Sequence, residues 1–88
     1  MNTPSGQPSN SSAALSFKFK PVKSSTLAGY SYDDKAYVLT VAFNNGKVFQ
    51  YLNVFPNVMS EVFDSGPSIG SKFHRLIKNG GYMSNKLI

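Results

Sequence analysis

The chain has 88 residues, no cysteine, and a net charge of +5 from nine basic and four acidic side chains. This length allows one small domain, and the missing thiols exclude disulfides, thiolate metal sites and cysteine nucleophiles. A basic excess on so small a domain is typical of proteins that bind RNA, DNA or an acidic protein surface, although charge that serves only solubility produces the same composition.

Residues 1–16 are rich in Ser, Pro, Asn and Gly and carry no charged side chain. This composition predicts a disordered tail, so we expect the folded domain to span residues 17–88. The same stretch lacks the basic and apolar regions of a secretory signal, and no segment approaches the roughly 18 apolar residues of a membrane helix. We therefore expect a cytoplasmic protein that does not bind membranes.

Three strands are predicted in the first half of the domain. The segment 17–23 alternates apolar and basic residues as far as Pro21, which fits either an edge strand or a basic lead-in. Leu27–Tyr32 predicts the first strand, with Tyr30 and Tyr32 on the face opposite Leu27. Tyr37–Phe43 and Lys47–Val54 predict the second and third strands, joined by a turn at Asn44-Asn45-Gly46.

Two helices are predicted to follow. Pro56 suits the first turn of a helix, whose inner stripe would be Met59, Val62 and Phe63. Ser71 is a predicted N-cap for a second helix from Lys72 to about Lys78, ended by Asn79-Gly80-Gly81. The inner residues of this second helix would be Phe73, Leu76 and Ile77. The order βββαα predicts an α+β fold with a three-stranded antiparallel sheet.

The side that Phe49 and Tyr51 occupy depends on the hairpin register. A three-residue loop with Gly46 in the left-handed position pairs Val41 with Phe49 and places the large apolar groups on one face. A two-residue loop inverts the face and exposes Phe49 and Tyr51 as a platform on which bases stack. The first register is favoured because it gives a sheet with one buried face, and the platform is the alternative.

The segment 66–78 is the candidate binding site. A helix N-terminus attracts anions through free N–H groups, and glycine lets the backbone approach a ligand. The candidate contacts to nucleic acid are Ser68, Gly70, Ser71, Lys72, His74, Arg75 and Lys78. A cation in the first helical turn, as at Lys72, opposes the helix dipole and favours a negatively charged partner. The alternative is an ordinary turn and a capped helix with a solvated basic face.

Catalysis is not predicted. The spacing of Gly66, Gly70 and the following Ser-Lys does not match a phosphate-binding Walker A loop. His74 is the only histidine, and no nucleophile with a general base is recognisable. Glu61 and Asp64 stand three residues apart without further ligands, which indicates a solvated face rather than a metal site. We therefore expect a non-enzymatic protein without cofactor or metal.

From Ser24 onward the chain resembles the KTSC domain. The matching positions, in order, are Ser24-Ser25, Tyr32-Asp33, Leu39-x-Val41-x-Phe43, Gly46, Phe49-x-Tyr51, Val54, Pro56, Ser68-x-Gly70-x-x-Phe73 and Ile77. The chain departs from the family's pattern in two places: Phe49 stands where the family has the first tyrosine of Tyr-x-Tyr, and Phe55 stands where it often has proline. The resemblance implies a domain found at the C-terminus of some lysyl-tRNA synthetases and alone in small bacterial and phage proteins.

Two functions follow from these observations. The first is a small non-catalytic module that binds RNA or single-stranded nucleic acid through its basic loop and helix. The resemblance adds an association with a tRNA ligase to this hypothesis. The second is a protein-interaction module, such as a phage or mobile-element protein whose basic face docks on an acidic surface of a host protein.

Overall fold

The computed structural model describes residues 18–88, so the predicted tail at residues 1–16 lies outside the described residues. The strands are β1 (Lys20–Pro21), β2 (Leu27–Asp33), β3 (Val38–Phe43), β4 (Val48–Tyr51) and β5 (Ser84–Lys86). The helices are α1 (Pro56–Phe63) and α2 (Ile69–Phe73), and α2 continues directly into a π-helical turn (His74–Lys78). All strands are antiparallel, in the order β1-β2-β3-β4-β5.

The α+β class is confirmed, but the predicted count of three strands is wrong, since the described residues form five. Of the two alternatives for residues 17–23, the edge strand is the one observed: it is β1, and Pro21 lies at its end opposite Gly29. β5 was missed because Ser84-Asn85-Lys86 shows neither apolar alternation nor β-branched residues. This strand forms because the backbone of β4 offers it partners, and just beyond its end the Leu87 N–H donates to the Val48 carbonyl at 2.8 Å.

The hairpin between β3 and β4 has the favoured register. Val41 lies opposite Phe49, and Leu39 lies opposite Tyr51. The three-residue loop closes through a 2.8 Å bond from the Phe43 N–H to the Lys47 carbonyl, and Gly46 takes the left-handed conformation with φ of 88°. Phe49 and Tyr51 therefore lie on the face of the sheet that the helices cover, and the register that exposes them as a platform is wrong.

A bulge in β2 changes which of its side chains share a face, so the predicted faces of that strand are wrong. Leu27 pairs with Phe43 whereas Gly29 pairs with Ala42, so Ala28 is an extra residue on its strand. The bulge turns Leu27 to the helix-facing side, where it is fully buried. Simple alternation placed Leu27 opposite Tyr30 and was wrong, because one inserted residue shifts the register of the side chains before it.

The core lies between the sheet and the two helices. Its buried members are Leu27, Leu39, Val41, Tyr51, Val54, Met59, Val62, Phe73 and Ile77. The predicted inner stripes are confirmed: Phe63 and Leu76 are partly buried against this cluster, and the other predicted members are buried. Tyr37 does not belong to β3 as predicted, because its φ of 59° breaks the strand and leaves the ring 37% exposed.

The second helix begins earlier than predicted. Its first residue is Ile69, and Ser68 occupies the N-cap position in a left-handed conformation without a side-chain cap bond. Ser71 is therefore inside the helix, and its prediction as N-cap is wrong. The predicted end is confirmed, since the turn at Asn79-Gly80-Gly81 follows the π-helical turn and Gly81 has a φ of 84°.

Gly70 packs against Ser24, which lies before β2. The Ser24 Oγ accepts hydrogen bonds from the N–H groups of Thr26 at 3.1 Å and Leu27 at 3.2 Å. A Cβ added at Gly70 would lie 2.7 Å from this Oγ, closer than real Cβ atoms come to an oxygen. The glycine thus lets α2 approach the entry to β2, which is a structural reason for a residue first considered as a ligand contact.

We expect Ser24→Ala and Gly70→Ala to be coupled. Ser24→Ala removes two hydrogen bonds and should lower the free energy of unfolding by about 1–2 kcal/mol. Gly70→Ala displaces the same Oγ and should lower it by about 1 kcal/mol after its gain in helix propensity. In the Ser24→Ala background the obstacle is gone, so Gly70→Ala should raise stability by roughly 0.5–1 kcal/mol.

Urea denaturation of the four proteins measures this coupling. Ser71→Ala, one position further along α2 and exposed, is the control and should change stability by only a few tenths of a kcal/mol, about the size of its propensity difference. Strictly additive effects of Ser24→Ala and Gly70→Ala would contradict the packing explanation.

Candidate functional site

Lys72 is engaged within the chain. Its Nζ donates to the Ser65 Oγ at 2.7 Å and to the Gly66 carbonyl at 3.4 Å, and the Ser65 hydroxyl in turn donates to the Glu61 carbonyl. The ammonium group therefore lies beyond the C-terminal end of α1, where unpaired carbonyls carry partial negative charge. The cation that the sequence linked to an external anion thus has an internal role in joining the two helices.

Four of the other predicted contacts come together in one groove. Gly70, Ser71, His74 and Lys78 line a depression of about 240 Å³, together with Thr26, Phe43 and Phe73. We call this depression the helix groove. Ser68 and Arg75 are exposed but do not line it. The structure therefore brings together the residues on the side of the helix that faces the β3–β4 hairpin.

A second groove of about 420 Å³ adjoins the first, and we call it the hairpin groove. Its lining consists of Phe43, Asn45, Lys47, Phe49, Tyr51, Lys78, Tyr82 and Ser84. Phe43 and Lys78 line both grooves, so the two depressions form one continuous surface. The predicted loop-helix contacts and the predicted aromatic pair therefore meet at Lys78.

Four aromatic rings form the floor of this surface. The rings of Phe43 and Phe49 meet edge to face, with centroids 5.8 Å apart and an interplanar angle of 90°. Phe73 lies beneath them and meets the rings of Phe43 and Tyr51 at 5.7 Å and 5.6 Å. Edge-to-face geometry is the favoured arrangement of aromatic pairs, so this floor is a stable part of the core.

Phe49 and Tyr51 differ in their accessibility. Tyr51 is only 5% exposed and belongs to the core, whereas Phe49 is partly buried at its margin. The two rings are nearly parallel, with centroids 6.4 Å apart and an angle of 25°. Burial raises the pKa of the Tyr51 hydroxyl above its usual value, because the charged phenolate would be poorly solvated there. Of the predicted stacking pair, Phe49 is thus the more accessible ring.

Basic side chains surround Phe49. Lys47 precedes it by two residues and therefore leaves the strand on the same face, and Lys86 is its cross-strand partner in β5. Among the described residues that line the two grooves, none is acidic. Two further grooves, of about 310 and 520 Å³, are both lined by Asp34, joined by Asp64 in one and by Asp33 in the other. The hairpin end of the domain is therefore the end that favours an anion.

Sequence reasoning missed Lys47, Tyr82 and Ser84 as groove residues. The favoured hairpin register already contained the signal for Lys47, since it places this residue on the face of Phe49. No sequence pattern indicated Tyr82 and Ser84 as groove residues, because their place in the groove depends on the C-terminal segment returning alongside β4. Within residues 18–88 no three His, Asp or Glu side chains gather as metal ligands. No helix in that range has the length and apolar character needed to cross a bilayer.

Comparison with known proteins places this chain in a family. The model of the KTSC domain matches residues 23–82. The lysine–tRNA ligases of Nostoc punctiforme and Trichormus variabilis are each 33% identical to it over 64 residues, which cover 73% of this chain and 11% of each ligase. The crystal structure of a KTSC domain protein from Yersinia pestis superposes with a TM-score of 0.67 and 30% identity, covering 78% of this chain and 94% of that one.

Tyr51→Phe should reduce the alkaline loss of stability. Because the pKa of Tyr51 is raised in the folded state, its neutral form stabilises the fold below the unfolded pKa near 10, and this stability is lost as pH rises through the folded pKa. Phenylalanine cannot ionise, so the free energy of unfolding should fall less between about pH 9 and about pH 11 in the variant.

Urea denaturation at both pH values measures this difference. Tyr82→Phe, which alters a partly buried ring that is not a cause of the raised pKa of Tyr32 or Tyr51, is the matched control and should retain the wild-type loss. Tyr32, whose pKa is raised mainly by burial, still ionises in the variant, so the loss should be reduced and not abolished. An unchanged alkaline loss in Tyr51→Phe would contradict the role assigned to its burial.

Proposed function

The chain belongs to the KTSC domain family, and we propose that it is a non-catalytic module that binds RNA or another single-stranded nucleic acid. Binding takes place on the surface formed by the hairpin groove and the helix groove. Lys47 and Lys78 contact phosphates, Phe49 stacks with a base, and Ser71 and His74 add hydrogen-bond donors. Arg75, exposed beside the helix groove, extends the positive field.

One observation carries this proposal: a partly exposed aromatic ring lies in a groove lined by lysines and by no carboxylate. Nucleic acids combine a negative backbone with flat aromatic bases, and proteins that bind single strands combine basic grooves with stacking rings for that reason. The total charge of +5 would attract many polyanions, but three of the four carboxylates line other grooves, which concentrates the positive field at the hairpin end.

The named relatives support an RNA partner by association. They are tRNA ligases, and the chain corresponds to 11% of their length, so their activity is not transferred to it. The proposal takes from them only the chemical class of the partner, and the residues that would bind it come from the grooves described above.

The double variant Lys47→Ala/Lys78→Ala should weaken RNA binding and its salt dependence. Each phosphate contact on a single strand contributes about 0.7 to the slope of log affinity against log salt concentration. Loss of both lysines should therefore reduce the slope by about 1.4, because two contacts disappear. Fluorescence anisotropy with a labelled single-stranded RNA at several salt concentrations gives this slope.

Lys35→Ala/Lys18→Ala is the matched control, since it removes the same charge from residues that line the other two grooves. It should lower affinity less and leave the slope nearly unchanged. Equal effects of the two double variants would show that net charge alone governs binding. A wild-type protein that does not bind RNA at low salt would refute the proposal and direct the search to an acidic protein partner.

A further inference from the structure

We infer that the hairpin groove is a receptor for one unstacked base, whose flanking phosphates contact the two lysines of the groove, Lys47 and Lys78. This inference rests on the proposed function and specifies how many bases the domain recognises. It differs from a stacking platform, in which successive rings along a strand bind successive bases.

The burial of Tyr51 limits the site to one base. Two aromatic residues at positions i and i+2 of a strand form a two-base platform only when both rings face solvent. Here Tyr51 is 5% exposed, and the edge contact with Phe73 at 5.6 Å holds it in the core. Of the two aromatic residues of β4, Phe49 is therefore the more accessible, and the base is assigned to its ring.

The arrangement of the rings around Phe49 makes a corner instead of a flat surface. Phe43 stands at 90° to Phe49, so the two rings do not form one flat surface on which successive bases could stack. Tyr82 also lines the groove, whose volume of about 420 Å³ is within the range of sites for small ligands. A second base stacked on the first would extend out of the groove.

Polar groups at the margin of the groove can contact the edge of that base and the phosphates on either side of its nucleotide. The Asn45 amide and the Ser84 hydroxyl line the groove and can donate to or accept from a base edge. Lys47 from the hairpin and Lys78 from the π-helical turn approach from different elements, so both phosphates flanking an inserted base have a cation. A paired base cannot enter such a groove without leaving its duplex, which makes the site selective for single strands.

The experiment uses the full chain and three fluorescent DNA strands of equal length: one fully abasic, one abasic with a single central thymine, and one all thymine. The three strands carry the same number of phosphates, so anisotropy titrations at low salt separate the contribution of base contacts from that of charge. The single thymine should raise affinity over the abasic strand by about 5- to 150-fold, the range for one base on an aromatic ring. The all-thymine strand should bind more tightly only by the statistical factor for its extra positions.

Phe49→Leu tests the ring itself. It should abolish the gain from the single thymine, so that the single-thymine and abasic strands bind this variant with equal affinity. Phe49→Tyr keeps the ring and should keep the gain, which separates loss of stacking from loss of folding.

Equal wild-type binding of the abasic and single-thymine strands would overturn the base receptor and leave the proposed function standing. A gain retained by Phe49→Leu would also overturn the receptor, as would an all-thymine strand that binds more tightly than the single-thymine strand by much more than the statistical factor. If no strand and no RNA binds at low salt, the proposed function fails together with the receptor.

Discussion

The left-handed turn at Gly46 is the constraint on which the rest of the structure depends. With φ of 88°, Gly46 closes a three-residue loop and sets Val41 opposite Phe49. A slip of one residue would move Lys47, Phe49 and Tyr51 to the other face. The core would then lose Tyr51, and the groove would lose its aromatic floor and one of its lysines. A single backbone conformation therefore determines both the stability of the domain and the composition of its candidate site.

The core and the candidate site share side chains. Phe73 is buried and supports Phe43 and Tyr51, while the margins of Phe43 and Phe49 reach the grooves. A domain of this size has few apolar residues to spare, so an aromatic surface for ligands is most easily made from the margin of the core. This arrangement also holds the accessible ring in place, because Phe49 contacts Phe43 and Tyr51 on its inner side. A rigid ring loses little entropy when a ligand stacks on it.

Most of the helical half and the hairpin could be predicted because local rules decide them. The apolar stripes at Met59 and Val62 follow the helical period, and Asn-Asn-Gly specifies a tight turn. The rest depends on contacts distant in sequence. The bulge at Ala28 reverses the face of Leu27, and β5 exists because β4 has an edge to pair. Neither leaves a periodic signal, so the two groove residues from the C-terminal segment, Tyr82 and Ser84, could not be found from the sequence.

The basic residues show why composition describes a site poorly. By sequence, Lys72 and Lys78 are equivalent cations on one helix, and both were candidate phosphate contacts. In the fold, Lys72 is bonded to the end of α1, whereas Lys78 lines the two grooves beside the aromatic floor. Lys72 already uses two of its three N–H donors on hydroxyl and carbonyl oxygens, so it has fewer donors to offer a phosphate than a lysine that lines an open groove. The electrostatic footprint is therefore smaller than the net charge implies, and it is centred on the hairpin end, where Lys47 and Lys78 line the groove that contains Phe49.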